Sequence, residues 1–355
     1  VPSPLRDNGV VAASERPARV LAFGAGRIPS VYLFVEKPLR LLQTEGKIEL
    51  RDRSGFRLSN RDLEWADVFV FCRNNAPEDL SYLRAAKAIN LPIIYIIDDN
   101  FLEAPLAYVE GRRLRTPIFL YTLKNFLRAA DLVITFSETL AEDLRLFSDK
   151  VAVRNTYFAS KSKPDISAHN RERVRITFAS SRSEDGSIEP LLFPILRDAI
   201  DKYRERIEIV LWKPLFGLKG NNIVVKNALP YEDYLEELSS GGYDIGLAPA
   251  VDNRFFNSKN ETKYREYGGL GIAGIYSATP LYNRVIVNRT TGMLANNTAG
   301  SWAAAVQSLI ENPDLRCHIA RSALTDVEER YEFGRYSETL LHDILRTASN
   351  RSAKL

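Results

Sequence analysis

The sequence is poor in the residues that most often carry chemistry on their own. Its 355 residues include two cysteines, Cys72 and Cys317, and three histidines, His169, His318 and His342. Two distant cysteines give neither a disulfide framework nor zinc-ligand spacing, which points to a reducing cytoplasm. Cys72 lies in an apolar run, as a buried thiol would. The histidines fall in no cluster and in no glycine-rich turn, so a zinc site or a Ser-His-Asp triad has little support. Long apolar runs are missing too. None approaches the roughly 20 residues of a membrane span, and no signal peptide is visible. Charge of one sign is scarce in excess: 48 basic against 45 acidic side chains leave +3. That balance argues against a dedicated nucleic-acid binder. The chain opens Val1-Pro2-Ser3-Pro4 without an initiator methionine, as a piece of a longer protein would.

What is present is an alternation of short apolar runs with amphipathic stretches. The length suits two domains rather than one core. In the first half, strands are expected at Val20–Phe23, Asp67–Cys72, Pro92–Ile97, Asp131–Thr135 and Val151–Val153. Pro92–Ile97 is continuously apolar, as in a buried parallel strand. Helices are expected at Pro38–Gln43, Pro77–Ile89, Ile118–Ala130 and Thr139–Leu146, with Ser137 as a candidate N-cap. A polar, aperiodic stretch then reads as a linker, and a second alternation follows it. Its strands are expected at 175–179, 208–211, 223–225, 243–249, 272–276 and 285–287. The organisation is therefore a polar arm (1–16), a first domain (17–156), a linker (157–172), a second domain (173–332) and a C-terminal helix (333–355) that packs back on the first domain. The fold class is α/β: two doubly wound halves facing one cleft.

Three features of the first half invite a functional reading. Gly24-Ala25-Gly26 directly follows the first strand, where bare backbone amides can face a phosphate; a simple tight turn explains it equally well. Asp98-Asp99-Asn100 ends a buried strand, the place where ligands sit in open α/β sheets. A capping or loop-anchoring role is the alternative. The triplet is not the Asp-x-Asp that sets two carboxylates on a divalent metal, so no metal is inferred. Arg112, Arg113, Arg115, Lys124 and Arg128 interleave with leucines, as in a helix facing an anionic lipid surface or, equally, a solvated helix with a core stripe.

The second half is organised around residues 255–302. Lys259 and Lys263 stand four apart, so one helix would place both on one face. Ammonium groups there can neutralise a leaving diphosphate. Glu266, three residues on, can accept two hydroxyl hydrogen bonds, which suits a ribose diol.

Asp244–Pro249, Phe256–Lys259, Lys263–Tyr267, Gly271, Ser277, Tyr282, Gly292 and Trp302 follow, in order, the donor-domain pattern of a known family. The chain resembles a GT-B glycosyltransferase of the retaining family numbered four (glycosyl transferases group 1). In the first half, Ser30-x-Tyr32, Pro38-Leu39 and Ile97–Phe101 resemble members acting on bacterial surface polysaccharides. The resemblance implies two Rossmann-like domains and a nucleotide diphosphate sugar as donor. It also implies a glycan or lipid-linked saccharide as acceptor, transfer with retention, and no cofactor or metal. It assigns donor contacts to Gly24, Gly26, Ser181, Arg182, Lys259, Lys263, Glu266, Tyr267 and Tyr282. Asp98, Asp99 and Lys263 are the expected catalytic positions. The setting it implies is polysaccharide or lipopolysaccharide (O-antigen) synthesis in the cytoplasm, with peripheral contact at the inner face of the membrane. A non-catalytic glycan- or nucleotide-binding module of a larger synthase is the alternative. One departure stands out: where the family often carries a further glutamate before the one aligned with Glu266, this chain has Ser258.

Overall fold

A computed structural model describes residues 16–26, 28–107, 109–161, 173–179, 188–212 and 218–352. The expected arm (1–16) and linker (157–172) lie mostly outside them. Among the described residues, twelve strands form two six-stranded sheets, parallel throughout. The first holds β1 (Ala18–Gly24), β2 (Ile48–Asp52), β3 (Val68–Cys72), β4 (Ile93–Ile96), β5 (Leu132–Thr135) and β6 (Val151–Val153), in the order β2-β1-β3-β4-β5-β6. The second holds β7 (Val174–Phe178), β8 (Ile207–Leu211), β9 (Ile223–Val225), β10 (Ile245–Ala248), β11 (Ala273–Ser277) and β12 (Met293–Ala295), in the order β12-β11-β10-β7-β8-β9. Helices cover both faces of each sheet, which is why β3 and β4 are buried along their whole length.

In each sheet the chain winds outward from one strand and then restarts on that strand's other side. The restart falls between β1 and β3 in the first sheet and between β7 and β10 in the second. Loops on the two sides of such a point diverge and leave a crevice at the carboxyl ends of the strands. The two crevices define the functional geography of the molecule.

Two expected elements are corrected. Ile48–Asp52 is a strand that its charged sequence, Ile-Glu-Leu-Arg-Asp, did not suggest; it lies at the sheet edge, where polar side chains meet solvent. Val285–Val287 is not a strand. Pro280 starts a single helical turn over Pro280–Asn283, and the amides of Val285 and Ile286 donate to the Tyr282 carbonyl. The last strand comes later, at Met293–Ala295.

The chain crosses between the halves twice, and the crossings run side by side. The Phe158 amide donates to the Tyr331 carbonyl at 2.8 Å, and Asn155 Nδ2 to the Arg330 carbonyl at 2.8 Å. After the second crossing, the Phe333–Ser352 helix lies on the first sheet. Tyr336, Leu340 and Ile344 join a core with Val20, Val70 and Ile94. Tyr336 donates its hydroxyl to the Phe34 carbonyl at 2.9 Å. Arg154 holds Asp343 with two nitrogens, at 2.8 and 2.7 Å. The C-terminus thus completes the core of the N-terminal half. Ile344 is fully buried there, so Ile344→Ala is expected to cost about 2–5 kcal/mol in urea unfolding monitored by far-UV circular dichroism. A cost under about 1 kcal/mol would mean that this helix is not part of the first domain's core.

Candidate functional site

The second sheet's crevice opens into a cavity of about 420 Å³ walled by both halves. The Thr262–Gly269 helix supplies Lys263 and Glu266. Glu266 is almost wholly buried. Its Oε2 accepts from Lys263 Nζ at 2.6 Å and from the Tyr234 hydroxyl at 3.1 Å, and Lys263 Nζ also reaches that hydroxyl at 3.0 Å. Burial, reinforced by the Glu266 carboxylate, holds the Tyr234 hydroxyl well above its ordinary pKa, so it stays a donor. Trp212 packs edge-on against Tyr234 with centroids 4.8 Å apart. Trp212, Tyr231, Phe256 and Tyr282 make much of the remaining wall aromatic.

Lys259 and Lys263 do not share a helix. Asn253 caps a four-residue helix, Arg254–Asn257, by accepting from the Phe256 amide. The Ser258 hydroxyl then donates to the Arg254 carbonyl at 2.6 Å, and the next helix begins only at Thr262. Lys259 lies in the intervening turn, yet both ammonium groups reach the same cavity.

Lys259 is paired with Asp99 of the other half. Asp99 in turn belongs to a buried cluster at the ends of β3 and β4. Arg73 Nη1 lies 2.5 Å from Asp98 Oδ1 and 3.0 Å from Asp99 Oδ2. Ser30 Oγ donates to Asp98 Oδ2 at 2.7 Å. Burial opposes the Arg73 charge and the two aspartates outweigh it, so the guanidinium stays charged. Arg73 has φ +61°, a left-handed conformation that a long side chain seldom adopts, and its guanidinium lies 4.9 Å over the Phe101 ring. Asn100 completes the strand end. Its Nδ2 donates to Asp143 at 2.6 Å and to Ser258 Oγ at 3.0 Å. Ser258 is therefore fully buried as a tie between the halves and does not line the cavity.

A second cavity, about 920 Å³, opens at the first sheet's crevice, with Asp99 in its wall as well. Gly24 and Gly26 line this cavity and not the one holding Lys263 and Glu266. Each has a structural reason to be glycine. A Cβ on Gly24 would come within 2.4 Å of Val31, and Gly26 has φ +105°. Tyr267 is also corrected. It is wholly buried beneath Gly246 and donates its hydroxyl to the Leu247 carbonyl at 3.1 Å, so it packs the core and does not line the cavity. Ser181 and Arg182 lie outside the described residues. Ser137 sits at the N-cap position without capping; its hydroxyl accepts from Arg284 of the second half at 3.2 Å.

Sequence reasoning missed Ser30, Arg73, Trp212, Tyr231 and Tyr234. Arg73 had a signal, since it follows a buried strand just as Asp98 does. Trp212 had the same signal, directly after the strand Ile207–Leu211; Tyr231 and Tyr234 had none, because an aromatic at a helical position usually packs a core. Among the described residues, no group of three or more His, Cys, Asp or Glu side chains could hold a metal ion.

Further ties close the cleft. Arg254 pairs with Asp143 and Glu142, and Glu232 accepts from Tyr32 and Lys37, each at 2.8 Å.

No family model matches the chain, and no curated protein matches it in sequence. Solved structures do match. Sucrose-phosphate synthase of Thermosynechococcus elongatus superposes with a TM-score of 0.67 at 13% identity, over 91% of this chain and 97% of that one. HepE of Anabaena, in complex with UDP-glucose, gives 0.63 at 14%, over 94% and 100%. A protein assigned as a UDP-N-acetylglucosamine 2-epimerase, from Listeria monocytogenes, gives 0.57 at 12%, over 92% and 95%. Two Rossmann-like domains around a cleft, superposable on these over almost the whole chain, define the GT-B fold. At such identities the likeness concerns architecture.

The Glu232 bridge makes a pH prediction. Burial raises its carboxyl, but Lys37 and Tyr32 outweigh burial and leave it below its ordinary 4.5. A value depressed by folding supports stability above 4.5, and that support is lost as pH falls through the depressed value. Wild type should therefore melt higher than Glu232→Gln at neutral pH, with the gap shrinking only below 4.5. A gap that persists unchanged to about pH 3 would show that the carboxylate's charge is irrelevant.

Proposed function

We propose that this chain is a glycosyltransferase that moves a hexose-type sugar from a nucleotide diphosphate sugar to a glycan or lipid-linked saccharide. The observation that carries the reading is the cavity between the sheets, where two ammonium groups, a buried carboxylate and an aromatic wall converge. An aromatic wall suits a base. Glu266 suits a ribose diol, because a carboxylate accepts from both hydroxyls. Lys259 and Lys263 suit a diphosphate whose charge grows as the glycosidic bond breaks. The N-terminus of the Thr262–Gly269 helix adds a partial positive charge at the same wall. HepE, which shares the fold, is crystallised with UDP-glucose.

On this reading Asp98 and Asp99 orient the acceptor hydroxyl; both line the smaller cavity, and Asp99 lines the larger one as well. Transfer proceeds with retention, the leaving phosphate assisting deprotonation, which fits a cavity wall without histidine among the described residues. Retention, the bacterial polysaccharide or O-antigen setting and a cytoplasmic location rest on the family resemblance. So does the independence from metals and cofactors. Peripheral contact with a membrane is assigned to the basic helices: Arg112, Arg113 and Arg128 are exposed, while Arg115 and Lys124 are partly so. No described helix is long and apolar enough to cross a membrane.

One observation favours the second reading, a binding module without turnover. Ser258 is spent on Asn100 and Arg254, so no carboxylate stands where the family often places one against the sugar. Incubation with a panel of nucleotide sugars and an acceptor extract separates the two: release of nucleotide diphosphate supports transfer, and binding without release supports the module. Nucleotide binding itself is read from the thermal shift with UDP, GDP, dTDP or CMP. For the nucleotide that binds, Glu266→Ala is expected to weaken affinity about ten- to a hundredfold, the loss of hydrogen bonds to a charged acceptor. Full affinity in that variant would remove the ribose assignment, and full transfer rates in Asp98→Asn and Asp99→Asn would remove theirs.

A further inference from the structure

We propose that Arg73 is a positioning residue for the donor: by sharing Asp99 with Lys259, it sets how readily Lys259 leaves Asp99 for a diphosphate. This rests on the transferase reading and adds a control of the donor site from a residue outside it. Ser30, Asp98, Asp99 and Lys259 line the smaller cavity; Arg73 lines only the larger one. Its Nη1 reaches Asp98 Oδ1 at 2.5 Å, Asp99 Oδ2 at 3.0 Å and Ser30 Oγ at 3.3 Å. Lys259 Nζ takes the other oxygen of Asp99, Oδ1. The two cations therefore hold one carboxylate by different atoms, and one can leave while the other stays.

The charges show what Arg73 contributes. Asp98 and Asp99 with Lys259 alone leave an excess of one negative charge where a diphosphate would enter. Arg73 cancels it. Without Arg73, drawing Lys259 away would strand two carboxylates whose side chains are only 11% and 9% exposed. The local geometry also favours a charge role over a simple tie. Nη1 makes all three of these bonds, while Nε is buried without a hydrogen-bond partner among the described residues. A guanidinium placed to tie two strand ends would use its fork in full. The backbone at Arg73 is left-handed, a conformation that glycine holds without strain, yet the position carries a long cation.

Calorimetry on the full chain compares UDP with uridine, GDP with guanosine and dTDP with thymidine, and the diphosphate that binds is followed. Arg73→Met should weaken that diphosphate at least about tenfold. Its nucleoside should lose less than about twofold, which also reports that the variant is folded. In an Asp99→Asn background the same substitution should cost the diphosphate less than about threefold, because the shared carboxylate is gone. Arg73→Lys, which keeps the charge, should bind the diphosphate within about fivefold of wild type. Asp99→Asn alone should bind it at least about threefold more tightly than wild type, since Lys259 no longer has to be drawn from Asp99. Equal losses for diphosphate and nucleoside, or equal losses in both backgrounds, would make Arg73 a structural residue only and overturn the inference. Asp99→Asn binding no more tightly than wild type overturns it as well, and decides the outcome should Arg73→Met not fold. Failure of all three diphosphates to bind wild type overturns instead the reading on which the inference rests.

Discussion

Asp99 is the residue on which the arrangement of the cleft turns. It ends a buried strand of the first sheet, holds Arg73 of its own half and Lys259 of the other, and lies in the walls of both cavities. Its side chain is 9% exposed and that of Lys259 19%. Removing two charges from water to this degree costs more than an exposed pair returns, and buried pairs are seldom a source of net stability. The pair makes better sense as a specification of geometry: it fixes where the second half sits relative to the strand ends of the first. Asn100 with Ser258, and Asp143 with Arg254, repeat the arrangement beside it.

Charge balance follows from the same contacts. Arg73 and Lys259 offset Asp98 and Asp99, and Lys263 offsets Glu266. The protein thereby keeps two ammonium groups inside a cleft without stranding a positive charge in it. On the transferase reading, a diphosphate would bring its own negative charge and compete with Asp99 for Lys259. Arg73 also holds Asp99, so the carboxylate would not be left uncompensated if Lys259 were drawn away. A sequence alone shows two lysines and two aspartates; the folded chain shows each lysine paired with a carboxylate, Lys259 with Asp99 and Lys263 with Glu266.

The parts of this architecture that were legible in the sequence are those set by local pattern. Continuous apolar runs such as Ile93–Ile96 and the amphipathic helices located most of the two sheets. Glu266 and Lys263 were singled out because their types and spacing suit a nucleotide, and both line the smaller cavity. The rest depended on long-range contacts. Helical periodicity put Lys259 and Lys263 on one face, but capping by Asn253 and the Ser258 hydroxyl breaks the helix between them. Tyr267 has the same neighbours in sequence as Glu266, yet Gly246, 21 residues earlier, opens the space that buries it. Gly24 and Gly26 looked like a phosphate loop because bare backbone suits one. The close approach of Val31 and a positive φ demand glycine there without any ligand.

Ser258 draws these strands together. With its hydroxyl engaged by Asn100 and Arg254, a carboxylate at that position would face Asp143, which already shares the Asn100 amide. The tie between the halves and a sugar-binding glutamate are therefore alternatives at this site. Among the described residues, the smaller cavity offers a sugar Ser30, Asn260, Thr262, Tyr231 and Tyr282 together with the clustered Asp98 and Asp99. Those groups come from both halves. On the transferase reading, recognition of the sugar would depend on the halves being held together, by the contacts that engage Ser258.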